Sequence, residues 1–176
     1  RDFEIVMLHG DDLYGKGYFL PRGYLRDSPE RLKNADAIFV NHLRKNSQIE
    51  AITQEVKRWT NLPIIATRMV PKYIELFSKE QINKLNGNRV GVFCGLGKPS
   101  SFIETVKEMG AEVVDTLILQ DHKSPKKEEA KRFIDRCIER GCDLIICSEK
   151  DWIKLPTNIE WSIPIGFLKA EMKIQY

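Results

Sequence analysis

The chain has 176 residues, 42% of them hydrophobic and 30% charged, enough for one large domain or two small ones with a real core. Its formal charge of +3 is mild, and no uninterrupted block of Lys and Arg marks a nucleic-acid-binding arm, so no nucleic-acid partner is expected. No run of about 18 apolar residues occurs, and the opening Arg-Asp-Phe-Glu-Ile-Val-Met-Leu lacks the n-region, h-region and cleavage site of a signal peptide, so a soluble chain is expected. Cys94, Cys137, Cys142 and Cys147 lack paired C-x-x-C spacing and three of them lie in apolar patterns, which predicts reduced, buried thiols rather than a zinc site.

The chain enters at once on an apolar run, residues 3–8, that reads as a buried strand emptying into His9-Gly10-Asp11-Asp12. A strand that feeds a polar loop is where α/β proteins place ligands. His9, Asp11 and Asp12 have the chemistry for a metal or acid-base cluster, but Asp-rich turns after strands are common, and the turn is the reading adopted. Residues 15–36 follow, GKGYFLPRGYLRDSPERLKNAD. Gly15, Gly17 and Gly23 allow close backbone approach, while Pro21 and Pro29 interrupt any regular element, so this is a shaped loop. Lys16, Arg22, Arg26 and Arg31 supply donors for anionic oxygens. Asp27 is a carboxylate among them, as a metal-phosphate or ribose site needs.

Ser28 and Pro29 predict the N-cap and first position of a short helix over 29–34, and 36–40 the next strand. Asn41 and His42 fall at that strand's end, facing a ligand if the sheet is parallel. An amphipathic helix is predicted over 47–59, with Ile49, Ile52, Val56 and Trp59 on its core side. Residues 62–77 read as strand interrupted by Pro71, which suits a sheet edge, a change of partner or an interdomain connector. Asn86-Gly87 is a turn pair. From Arg89 a strand, a glycine turn and a helix opened by Pro99 restart the pattern. Strand 112–119, helix 126–140 ended by Gly141, strand 143–147, short helix 149–155 and strand 163–176 follow.

The fold class expected is therefore α/β: two Rossmann-like three-layer units with mostly parallel sheets, joined by a β-rich connector. The expected divisions are 1–62, connector 63–88 and 89–176. Gly95-Leu96-Gly97-Lys98-Pro99-Ser100 begins like a dinucleotide fingerprint, with Ser at the third glycine; such a turn either binds an anion or simply reverses the chain. Asp121-His122 follows the strand that ends near Leu119, at the carboxyl edge of the sheet, where an imidazole can exchange protons near neutrality.

Four segments, taken in order, resemble the tetraacyldisaccharide 4'-kinase family, the lipid A 4'-kinases. Residues 17–36 resemble its Leu-Pro-x-Gly-x-Leu-Arg-Glu-Pro loop followed by Leu-x-x-Ala-Asp, with Asp27 for Glu and Ser28 for Pro. Residues 95–102 resemble Gly-Ile-Gly-Asn-Pro-x-x-Phe, with Lys98 for Asn. Asp121-His122 resembles the family's Asp-His, with Pro125 where an aromatic usually stands, and residues 148–155 resemble Thr-Glu-Lys-Asp-x-x-Lys-Leu.

The resemblance implies transfer of the ATP γ-phosphate to the 4'-hydroxyl of tetraacyldisaccharide 1-phosphate, with Mg²⁺, at the cytoplasmic face of the bacterial inner membrane. It implies His122 and Asp121 as catalytic residues, Arg22, Arg26 and Asp27 as substrate- or nucleotide-binding residues, and Asp27 as a metal ligand. No G-x-x-x-x-G-K-[ST] occurs in these residues, nor the family's Asp-Asp-Gly-Phe-Gln-His, so the chain is expected to be a C-terminal fragment, inactive as a kinase alone. The alternative is a non-catalytic nucleotide or nucleotide-sugar binding module with its ligand at residues 95–100.

Overall fold

The computed structural model describes residues 2–43, 48–120, 125–155 and 159–175. The chain divides into two compact units, Arg1–Met69 with Met172–Tyr176, and Val70–Glu171. The division falls inside a strand, and the last residues return to the first unit, whereas the sequence placed boundaries at 62/63 and 88/89.

In the first unit, β1 (Ile5–His9), β2 (Ala37–Asn41) and the start of β3 (Ile64–Leu76) are parallel neighbours. Ile5 pairs with Ala37 and His9 with Asn41; Ile38 pairs with Ile64 and Val40 with Ala66. Helix α1 (Gln48–Val56) joins β2 to β3 and buries Ile52 and Val56. With Leu8, Leu32, Ile38 and Val40 these form one core cluster, against which Trp59 and Leu62 pack. The apolar three-and-four spacing of α1 decides which face turns inward. The loop between β1 and β2 is tied at its far end: the Glu4 N–H donates to Asp36 Oδ2 at 2.6 Å, and the Asp36 N–H to Glu4 O at 2.8 Å.

In the second unit, β5 (Arg89–Cys94), β6 (Glu112–Ile118), β7 (Leu144–Ser148) and β8 (Ile165–Ile174) are parallel in the order β6-β5-β7-β8. The later part of β3 lies beyond β8 and pairs antiparallel with β4 (Gln81–Ile82). Helices α2 (Pro99–Glu108), α3 (Lys127–Glu139) and the short α4 (Glu149–Trp152) complete the unit. Alternate residues of the inner strands enter opposite cores. Val90, Val92, Cys94, Leu144 and Ile146 join Phe102 and Val106 of α2 in one, and Phe93, Ile145 and Cys147 join Phe133, Ile134 and Cys137 of α3 in the other. A sheet buried on both faces is what βαβ crossovers produce, and it explains why these strands read as unbroken apolar runs.

Two positions show why the chain takes this form. Pro71 lies between two sets of pairs, β3 with β2 at residues 64–66 and with β4 at 74–75, in a strand that also neighbours β8. Its missing N–H thus falls outside either set of pairs. Gly91 lets α3 approach β5, since a Cβ there would meet Cys137 Sγ at 2.4 Å. The predicted helix over 29–34 is a 3-10 helix, Pro29–Asn34, and the predicted 149–155 helix stops at Trp152.

Candidate functional site

The loop after β1 folds on itself. Gly15, Lys16 and Gly17 all have left-handed backbone, with φ of 53, 64 and 73°, and the Lys16 N–H donates to Asp12 Oδ1 at 2.9 Å. Asp12 is thus a turn residue, as expected, and the Asp11 N–H donates to His9 Nδ1 at 3.2 Å. The His9 ring stacks on that of His42, centroids 4.4 Å apart, which joins the carboxyl ends of β1 and β2. Four further backbone bonds close the loop: Gly23 N–H to Phe19 O, Tyr24 N–H to Gly15 O, Leu25 N–H to Tyr18 O and Leu20 N–H to Leu25 O. Gly23 sits inside this closure, where a Cβ would stand 2.2 Å from Tyr18 O and 2.6 Å from Gly15 O.

The closure separates the basic residues. Arg22 lays its guanidinium over the Tyr18 ring at 3.8 Å, and Lys16 Nζ lies 5.2 Å from the centroid of Tyr24. Both are cation–π contacts. Arg26, Asp27 and Arg31 instead line a cavity of about 480 Å³, together with Glu4, Tyr14 and Leu32 among others. Asp27 is not solitary there: its Oδ2 is 3.4 Å from Arg31 Nη1, one turn away. Ser28 caps that turn, accepting from the Glu30 N–H at 3.3 Å, with Pro29 at its first position, as the sequence indicated. The site residues Arg26 and Asp27 are brought together and Arg22 is turned to another side of the loop. Among the described residues no three of His, Cys, Asp and Glu gather as metal ligands would.

Asp121 and His122 lie outside the described residues. Before them, the Leu119 N–H bonds Cys94 O at 3.0 Å, just past the ends of β5 and β6.

Residues 95–100 carry a feature that sequence reasoning missed. Asp151, in the short helix read over 149–155, is 1% exposed. Its Oδ2 accepts from the Gly95 N–H at 3.0 Å and from the Ser148 hydroxyl at 2.5 Å, while Ser148 Oγ accepts the Asp151 N–H at 3.1 Å. The carboxylate therefore ties the turn after β5 to the turn after β7. The Gly95 N–H, a donor the nucleotide-module alternative would direct at a phosphate, is taken by an anion of the chain itself. The signal was present as Ser148-x-x-Asp151, the spacing of a capping box. Glu149 of the same helix pairs with Lys169 of β8.

Mostly parallel strands alternating with helices, with polar loops at the strands' carboxyl ends, define an α/β protein of the Rossmann-like class, in which a cavity lined by Glu4, Arg26, Asp27 and Arg31 adjoins the loop after β1. The family model described as tetraacyldisaccharide-1-P 4'-kinase matches residues 1–175; the chain belongs to this family. The tetraacyldisaccharide 4'-kinase of Chlamydia pneumoniae is 39% identical over 99% of this chain and 47% of its own length, and that of Chlamydia abortus 36% identical over 97% and 47%. The chain spans about half the length of the curated relatives it matches. The crystal structure of the "apo" form of LpxK from Aquifex aeolicus in complex with ATP matches 99% of this chain and 49% of that one, with a TM-score of 0.60 and 23% identity. That likeness is one of fold.

Proposed function

We propose that this chain is part of a kinase that transfers the γ-phosphate of ATP to the 4'-hydroxyl of tetraacyldisaccharide 1-phosphate in lipid A biosynthesis, at the cytoplasmic face of the inner membrane. The observation that carries this reading is the match to the kinase family along residues 1–175, in a chain whose loop after β1 sets Arg26, Asp27 and Arg31 around one cavity. The solved relative whose fold this chain shares was crystallised with ATP.

Phosphoryl transfer asks a protein mainly for positioning and for positive charge around the transferring group. Arg26 and Arg31 supply donors with the planar fork suited to phosphate oxygens, on a loop whose shape is held by its own hydrogen bonds. Asp27 keeps Arg31 in place. A magnesium ion would supply charge neutralisation between the phosphates, but the described residues do not by themselves fit one, since Asp27 faces a guanidinium and no three His, Cys, Asp or Glu side chains gather among the described residues. For Asp27 to serve a divalent cation, phosphate oxygens must complete the shell and Arg31 must turn to the anion. Arg22, stacked on Tyr18 and not among the cavity's lining residues, is proposed to meet the lipid substrate. His122, with Asp121, is proposed to help remove the proton of the 4'-hydroxyl, on the strength of the family resemblance alone.

The test is phosphoryl transfer from labelled ATP to tetraacyldisaccharide 1-phosphate. The 176 residues alone should give none, because they hold no G-x-x-x-x-G-K-[ST] to cradle the phosphates. Joined to the part of the Chlamydia pneumoniae kinase that they do not cover, they should give transfer at the 4' position. A folded chimera that transferred nothing, or that phosphorylated a different acceptor in preference, would overturn the proposal.

A further inference from the structure

On the loop after β1, Tyr18, Phe19 and Leu20 stand outside the lining of the cavity, to which Tyr24 belongs. Tyr18, Phe19, Leu20 and Tyr24 are 46, 54, 61 and 67% exposed. Three of them are consecutive, so they form one patch rather than scattered apolar residues. Exposed apolar patches of this kind, unlike single residues, mark interaction surfaces. Between Gly15 and Arg26 the loop carries Lys16, Arg22 and Arg26 and no acidic residue. Two of these cations rest on the ring faces of Tyr24 and Tyr18. The backbone beneath is closed by four cross-loop hydrogen bonds, so the patch is presented without further ordering of the chain, which lowers the cost of binding.

We propose that residues 18–24 dock on an anionic lipid surface, with Phe19 and Leu20 entering the boundary between headgroups and acyl chains and Lys16 and Arg22 meeting lipid phosphates. The chemistry selects this partner. Apolar and aromatic side chains flanked by cations match a layer that is apolar below and anionic above. A protein partner also accepts aromatics beside Arg, and would appear in the experiment as indifference to vesicle charge. Lipid docking deepens the lipid-kinase reading, for it gives the site side of the loop, Arg26 to Arg31, an orientation toward a substrate that carries acyl chains. It rests on that reading only for its biological purpose, since docking is read by partition and not by turnover.

The experiment is co-sedimentation of the purified protein with vesicles of phosphatidylcholine alone and of phosphatidylcholine with phosphatidylglycerol. Each cation at an anionic surface contributes roughly fivefold in partition, so binding to the mixed vesicles should exceed that to the neutral ones by at least about tenfold and fall with added salt. The double substitution Phe19→Ser with Leu20→Ser should lower partition about tenfold or more, the scale expected from withdrawing two large apolar side chains from the interface. The control pair Phe77→Ser with Ile153→Ser, at exposed apolar residues of the second unit, should leave it within about twofold. Phe19→Trp should add a blue-shifted emission on mixed vesicles that the wild type lacks. Equal partition on neutral vesicles, or indifference to the Phe19 and Leu20 substitutions with circular dichroism unchanged, would overturn the proposal. In the chimera with the remaining part of the Chlamydia pneumoniae kinase, loss of vesicle binding by the Phe19 and Leu20 substitutions with phosphoryl transfer to dispersed substrate intact would support it, and a chimera that binds vesicles but transfers nothing would count against the kinase reading alone.

Discussion

At the scale of single residues, the loop distinguishes side chains that the sequence lists together. Arg22 and Arg26 are four positions apart in one basic stretch, yet Arg22 stacks on Tyr18 while Arg26 lines the cavity. Arg26→Ala should therefore raise the KM for the anionic substrates more than Arg22→Ala does, which initial-rate kinetics with both substrates would show. His122→Ala in the complete kinase is expected to lower kcat by about 10²-fold at nearly unchanged ATP affinity, the range of a positioned acid-base group. An equal loss of ATP binding would assign His122 to holding the nucleotide instead. Asp151 belongs to stability. Replacing it with Ala strands the Gly95 N–H and the Ser148 hydroxyl in a buried place, at a cost of about 1–3 kcal/mol, measurable by urea unfolding.

At the scale of elements, most of the architecture was legible. Strands 36–40 and 143–147 announced themselves as short apolar runs because a parallel sheet buries both faces, whereas 3–8, read as a buried strand, is the end strand of the sheet with Ile5 and Met7 exposed and Leu8 buried. Helices α1 and α3 were visible in their three-and-four spacing, and Gly141, with φ of 64°, ends the latter as read. What could not be read was the path of the loop. Gly23, Gly15 and Pro21 indicated a shaped segment, but which carbonyls Gly23 would face depends on contacts made only after closure. The burial of Asp151 was hidden for a similar reason: its partner Gly95 is 56 residues away. Pro71 signalled only that 62–77 is no plain inner strand, which suited a sheet edge or a connector; that β3 neighbours β2, β8 and β4 was not legible from it. The tight approach of α3 at Gly91 yields a further expectation. Gly91→Ala should destabilise by about 1–3 kcal/mol through overpacking against Cys137, with a lowered urea midpoint and an unchanged m-value.

At the scale of the whole molecule, no helix among the described residues is long and apolar enough to cross a membrane. Each unit instead has its own apolar core. In the second, burial pushes the Cys94 thiol up to about 11 and Cys137 up to about 12, and Cys147 rises well above the ordinary value near 9 for the same reason. Because these pKa values are raised on folding, their stabilising contribution is complete below about pH 9 and is lost as pH climbs through the folded values. Unfolding free energy should hence be flat in this respect from pH 7 to 8.5 and fall between about pH 9 and 11. Urea titrations in that window check this, with Cys94→Ala showing a shallower decline than the wild type.

The loop after β1 is proposed to serve phosphoryl transfer through Arg26, Asp27 and Arg31. The most direct measurement is kcat/KM for transfer to tetraacyldisaccharide 1-phosphate by the complete kinase carrying these residues, as wild type, Asp27→Ala and Asp27→Glu. Asp27 and Arg31 are both more than half exposed, and an exposed pair of this kind contributes no more than about 1 kcal/mol to stability. Asp27→Ala should accordingly keep its unfolding midpoint while losing about 10²-fold or more in kcat/KM, and Asp27→Glu, the residue usual in the family, should recover most of it. If Asp27→Ala retained wild-type kcat/KM, the loop would be a structural connection between β1 and β2 and the account of the site would be contradicted.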